Sequence, residues 1–183
     1  ISGTVVDIGS EIREFRLGDQ VVTTLTASCG VCESCASGDD YMCEFGLGYG
    51  HGIDGGFAEY ILVQEKNLVN LGDLDLVQSA LLSCPVGVCI KALIDRGSLG
   101  MDDSCVVFGS GGGLGIHALQ VAQTYTSNVI SFTSSPSKLE EIGKYEASPT
   151  FLLDGSLDPT DLVMALTEDK GADVIFNSVG SKF

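Results

Sequence analysis

The chain is poor in positive charge: nine basic residues stand against 25 acidic ones, a formal net charge of −16. Neutralising a row of phosphates takes clustered Lys and Arg, so a nucleic-acid partner is not expected. No Lys or Arg lies between Arg16 and Lys66. Histidine is scarcer still, with only His51 and His117. Long apolar runs are also missing. Nothing approaches the roughly 20 residues that cross a bilayer as a helix, so membrane insertion is not expected either. There is no low-complexity stretch. A hydrophobic content of 44% with 24 glycines in 183 residues describes one globular domain or two small ones.

What the chain has instead is patterned cysteine. Cys29, Cys32, Cys35 and Cys43 stand at x2, x2 and x7 spacing, close enough to converge on one tetrahedral ion. Four thiolates leave no open position, so the ion would be a structural Zn2+ replacing a hydrophobic core, with no chemistry of its own. Unligated or redox-active thiols are the alternative; iron–sulfur clusters use other spacings. So long a chain does not suit a disulfide framework, and a reducing, cytoplasmic compartment fits the free thiols. Glu33, Asp39, Asp40 and Glu44 make the same lobe, residues 26–56, unfit to hold an anion. His51, in a G-H-G loop, is not needed by an ion that four cysteines already saturate.

The second pattern is Cys105 to Gly115, C-V-V-F-G-S-G-G-G-L-G, running into a helical repeat of Leu114, Ala118, Val121, Ala122 and Tyr125. A buried strand, a tight turn and a one-sided helix make the opening βα unit of a nucleotide-binding fold. Gly109 ends the strand, Gly112 and Gly113 allow backbone to approach a pyrophosphate, and Gly115 lets the helix lie on the sheet. The strict G-x-G-x-x-G is not spelled, and an ordinary strand-to-helix turn is the alternative. His117, at the edge of the buried stripe, reads as structural.

Strands are expected at 3–8, 19–25, 57–63 and 67–70, helices at 74–82 and 86–96. Beyond the central unit come strands at 129–133, 151–153 and 173–176, with helices from Pro136 and over 159–166. Strands alternating with helices predict a parallel sheet, an α/β class.

In this order the motifs resemble the zinc-containing, medium-chain alcohol dehydrogenase superfamily, yeast-type and cinnamyl-alcohol-type enzymes above all. They are the four-cysteine lobe, G-x-x-x-D-G-G-F-A-E-Y at Gly50 to Tyr60, A-L-L-S-C-P-V-G-V at Ala80 to Val88, and V-V-F-G-S-G-G-G-L-G. The resemblance implies a partial GroES-like domain at 1–83 and a partial Rossmann nucleotide-binding domain at 84–183. It implies hydride exchange between a nicotinamide and a small alcohol or aldehyde, and a homo-oligomer for full-length members. A second, catalytic zinc would take Cys84 together with a cysteine and a histidine upstream of residue 1, which resembles the position just after the family's G-H-E segment. The end, D-V-I-F-N-S-V-G, resembles the fourth strand of the nucleotide domain, so both ends are expected to be truncated. A sheet cut there would leave an unpaired edge, and aggregation of the isolated chain is expected.

The cofactor contacts implied by resemblance are Val88, Gly109, Gly111, Gly112, Gly113, Leu114, Gly115, Thr133, Ser134, Ser135, Lys138 and Val179. Val88 stands where the family usually has threonine. The second strand ends in Thr133 rather than in the acid that binds a ribose and repels a 2′-phosphate, and Ser134, Ser135 and Lys138 follow, so NADP is expected over NAD. Two other readings stay open: a non-catalytic zinc- and nucleotide-binding fragment, and a zinc-independent quinone reductase of the same superfamily.

Overall fold

The computed structural model describes residues 1–145 and 148–180. They form two compact units, Ile1–Cys84 and Pro85–Phe183.

In the first unit, β1 (Ser2–Thr4), β2 (Gln20–Thr23), β3 (Thr26–Ala27), α1 (Glu33–Ala36), β4 (Leu47–Tyr49), β5 (Gly52–Ile53) and β6 (Leu68–Asn70) are followed by α2 (Leu76–Ser79). β1, β2 and β6 make one antiparallel sheet, with Val21 and Val22 buried in it beside Phe15 and Leu71. β3, β4 and β5 make a second small sheet. Between β3 and β4, α1 and a 3-10 turn at Asp40–Met42 bury no residue at all. That lobe has no core to hold it.

The expected strand at 57–63 does not form. Its aromatic and β-branched run after the glycine turn is present, but no described segment pairs with it, and Phe57, Tyr60 and Leu62 are exposed. A strand is defined by its neighbour, which a periodicity argument does not supply. The strand expected at 3–8 shortens for a similar reason. Past Thr4 only Val5 continues the contact, donating its N–H to the Asp19 carbonyl at 2.9 Å. α2 is shorter than the expected helix and is capped by the Asp75 carboxylate, which accepts from Gln78 N at 2.8 Å. Where a break was expected at Cys84 and Pro85, a π-helical turn over Leu82–Val86 takes Pro85 inside it.

The second unit opens with α3 (Gly87–Ile90), which runs into wide π-helical turns over Lys91–Arg96. Then follow β7 (Cys105–Phe108), α4 (Gly113–Tyr125), β8 (Val129–Thr133), α5 (Pro136–Gly143), β9 (Thr150–Leu152), α6 (Pro159–Leu166) and β10 (Val174–Asn177). All four strands are parallel, in the order β10-β7-β8-β9. Alternate residues of β7 feed two cores. Cys105 and Val107 pack with Cys89, Leu93, Ala118, Leu119 and Val129 on one face; Val106 packs with Ile130 and Phe132 on the other. Phe132 stacks on Phe108 with ring centroids 5.0 Å apart, and it meets Phe151 at 5.9 Å. Burying both faces is why β8 is buried at every position and reads as an unbroken apolar and hydroxyl run. Tyr125, expected on the buried stripe of α4, is instead exposed at its last turn. Among the described residues no helix is long and apolar enough to cross a membrane.

Candidate metal centre and nucleotide cradle

The coreless lobe gathers its thiols. The four sulfurs of Cys29, Cys32, Cys35 and Cys43 all lie within 4.8 Å of one another, with Cys32 3.5 Å from Cys35 and 3.8 Å from Cys43, and Cys29 4.0 Å from Cys35. A tetrahedron of Zn–S bonds of about 2.3 Å has edges of about 3.8 Å, so the spacing fits zinc. Main-chain amides aim inward too. Val31 and Cys32 donate to the Cys29 sulfur, and Cys29 donates to that of Cys43 at 3.3 Å. These donors favour thiolate. Amides of Cys35 and Glu44 bring the Cys32 thiol down to about 6, whereas burial and the adjacent Cys32 sulfur push Cys35 up to about 12. Without a cation the lobe therefore keeps protons that a metal would displace.

Cys84 is exposed and does not join this group or any other metal-ligating cluster among the described residues. Cys89 and Cys105 are buried, and desolvation raises their thiols to about 11 and about 12, which leaves them inert packing residues.

In the second unit the sheet order turns back between β7 and β10, and ligands of open α/β sheets bind at the carboxyl ends of the strands beside such a point. The glycine turn sits there. Gly109 has φ +78°, a conformation that side chains resist, and its amide and that of Ser110 both donate to the Phe132 carbonyl. A Cβ on Gly115 would lie 2.0 Å from the Gly109 carbonyl oxygen, so the first turn of α4 is pressed directly on the strand end. A Cβ on Gly111 would meet Thr133 Oγ1 at 2.7 Å. Gly113 faces open space, which leaves the helix N-terminus clear for an anion. Leu114 is half-buried against the core, and Val179, after β10, stands where a Cβ on Gly109 would strike it at 2.6 Å. Val88 on α3 is 43% exposed.

A groove of about 450 Å³ runs along these glycines, lined by Ser110 to Gly113, Ile116, Lys138, Glu141, Ile142, Lys144 and Tyr145. Of Thr133, Ser134, Ser135 and Lys138, it is Lys138 that lines the groove. Thr133 is buried, and its hydroxyl accepts the Ser135 amide at 3.3 Å. Sequence reasoning missed Glu141, whose carboxylate holds Lys138 Nζ at 2.7 Å, and also Lys144 and Tyr145. The i,i+3 spacing of Lys138 and Glu141 on a helix was the available signal.

A four-thiol lobe ahead of a βα glycine cradle is a combination that comparison with known proteins can test. Residues 1–73 match the alcohol dehydrogenase GroES-like domain. That part of the chain is similar to the domain in both sequence and length of match. The GroES-like match ends before the cradle, but whole-chain similarity carries on through it. An NAD-dependent alcohol dehydrogenase of Sulfurisphaera tokodaii is 30% identical over 178 residues, 97% of this chain and 51% of that protein. An acryloyl-coenzyme A reductase of the same organism is 34% identical over 146 residues, 79% of this chain and 44% of its own length. The solved alcohol dehydrogenase of Thermus sp. ATN1 superposes with a TM-score of 0.88 at 28% identity, covering 98% of this chain and 54% of that one. The chain is thus a homologue of zinc-type alcohol dehydrogenases and spans about half the length of the relatives it matches.

Proposed function

We propose that this chain is the zinc-stabilised and nucleotide-binding part of an oxidoreductase that moves a hydride between NADP(H) and a small alcohol or aldehyde. The observation that carries the reading is the glycine cradle at the switch point of a parallel sheet, in a chain that also gathers four thiols. Structural zinc would be held by Cys29, Cys32, Cys35 and Cys43. The nicotinamide would accept the hydride from an alcohol or supply it to an aldehyde when bound; the chain's own part is to seat its pyrophosphate on the α4 N-terminus and its adenosine ribose along α5. The absence of an acid at the end of β8, with Lys138 in the groove, supports NADP over NAD; the paired Glu141 opposes it by occupying that ammonium.

Cys84 alone does not make a zinc site. The acryloyl-coenzyme A reductase similarity adds an activated alkene to the candidate hydride acceptors.

The test is zinc analysis of the purified protein together with nicotinamide-fluorescence titrations with NADPH and NADH. One zinc per chain and tighter NADPH than NADH binding are expected. Absence of both zinc and nucleotide binding overturns the proposal, and tighter NADH binding overturns its cofactor choice.

A further inference from the structure

Lys66 is the single basic residue between Arg16 and Lys91, and its side chain reaches the four-thiol lobe. It sits on a 3-10 turn, Glu65–Asn67, that leads into β6, outside the lobe in sequence. From there its Nζ donates to the backbone carbonyl of Ser28, the residue before Cys29. It also hangs over the ligand loop, 3.1 Å from where a Cβ of Gly30 would be. On the same Ser28, the hydroxyl donates to the Asp40 carboxylate. The same carboxylate lies beside the Cys35 thiol and within electrostatic reach of Lys66.

The charges make the arrangement one-sided. Four thiolates around a divalent ion leave a net charge of −2, and Glu33, Asp39, Asp40 and Glu44 add more on the same lobe. A positive charge held on the Ser28 carbonyl, beside the ligand Cys29, is attracted to this group, whereas the Asp40 carboxylate, next to the Cys35 sulfur, is repelled once that sulfur is ionised. The turn carrying Lys66 is itself anchored. Asn67, 4% exposed, donates through Nδ2 to Thr24 Oγ1 and to the Thr26 carbonyl, both at 2.7 Å. The ammonium is thus presented by a fixed element.

We infer that Lys66 is the charge-balancing and positioning residue of the four-thiolate metal site, holding the Ser28–Gly30 approach to Cys29, and that Asp40 acts against it. This rests on the zinc reading of the lobe. Lys66 offsets the negative charge that metal binding creates, and Asp40 weakens retention of the metal.

The experiment loads the protein with Co2+ and with Zn2+ and follows release to a chelator. The thiolate-to-cobalt charge-transfer absorption reports the ligand set independently of any turnover. Lys66→Met keeps that absorption but releases metal about tenfold faster, the scale on which residues behind metal ligands act. Lys66→Arg restores slow release. Asp40→Asn, which keeps an oxygen to accept from Ser28, slows release. Added salt accelerates release from the parent protein and has less effect on Lys66→Met, because the interaction is partly screened. A purely structural role for both residues predicts faster release from Lys66→Met and Asp40→Asn alike, so equal signs overturn the inference, as does unchanged release from Lys66→Met. If the parent protein shows no charge-transfer absorption and takes up no metal, it is the zinc reading that fails.

Discussion

Lys138 Nζ and Glu141 Oε2 lie 2.7 Å apart across one turn of α5, on the wall of the groove that follows the glycines. An ammonium already neutralised by a carboxylate is a weaker phosphate ligand than a free one. Glu141→Gln should therefore tighten NADPH binding roughly tenfold, about 1.4 kcal/mol, while leaving NADH binding nearly unchanged. Lys138→Ala should do the reverse. Parallel fluorescence titrations with the two nucleotides read both effects, and equal shifts for both would argue against a 2′-phosphate contact.

The cradle depends on missing side chains. Gly115→Ala puts a methyl group 2.0 Å from the Gly109 carbonyl oxygen, a contact that only separation of α4 from β7 relieves. A loss of about 2–3 kcal/mol is expected from overpacking, with nucleotide binding abolished. Thermal unfolding and the same titrations check it. Gly113→Ala, whose methyl group meets open space, should leave stability within about 1 kcal/mol of the parent.

Phe132 carries the core on one face of the parallel sheet, fully buried between Phe108 and Phe151. Phe132→Ala should cost about 3–5 kcal/mol by transfer and cavity formation. Denaturant midpoints measure this. The metal content of the first unit should stay the same in any folded fraction.

Metal uptake should depend on pH with a definite sign. The Cys32 thiol, lowered to about 6, is largely thiolate at neutral pH; Cys35, raised to about 12, is still protonated there and loses its proton to solvent only when the metal binds. Zinc affinity should thus rise as pH rises through neutrality, with protons released on binding, and should fall steeply below pH about 6 as Cys32 also protonates. Competition with a chromophoric chelator across pH measures it; a flat profile would contradict the assignment.

Cys84→Ser should leave zinc at one per chain, because Cys84 stands apart from the thiol cluster. A loss of zinc on this change would show that the isolated thiol takes part in metal binding.

Local signals carried far in this sequence. The cysteine spacing, the β7–glycine–α4 unit and the Pro159–Leu166 helix, whose Asp158 carboxylate caps Thr160 N at 2.7 Å, were all legible because each is built from neighbours in sequence. What was not legible depends on distant partners. The apolar run at 57–63 lacked a described strand to pair with, and the Lys66 contact to Ser28 spans 38 residues. The π-helical turns around Pro85 defeat a rule drawn from α-helices, since wide turns reroute the hydrogen bonds that proline would break. Val88 and Val179 keep their sequence assignments as expectations: both side chains are exposed, and Val179 also lies against Gly109 of the cradle.

On the proposed nucleotide reading, the close approach of Gly109 to Gly115 would make backbone amides the main seat of the pyrophosphate. Backbone offers every diphosphate the same amides, so the seat is deaf to which nucleotide arrives. Discrimination would then be written elsewhere, by the Lys138 and Glu141 side chains on the groove wall, and a change of cofactor preference would proceed there without disturbing the grip on the pyrophosphate.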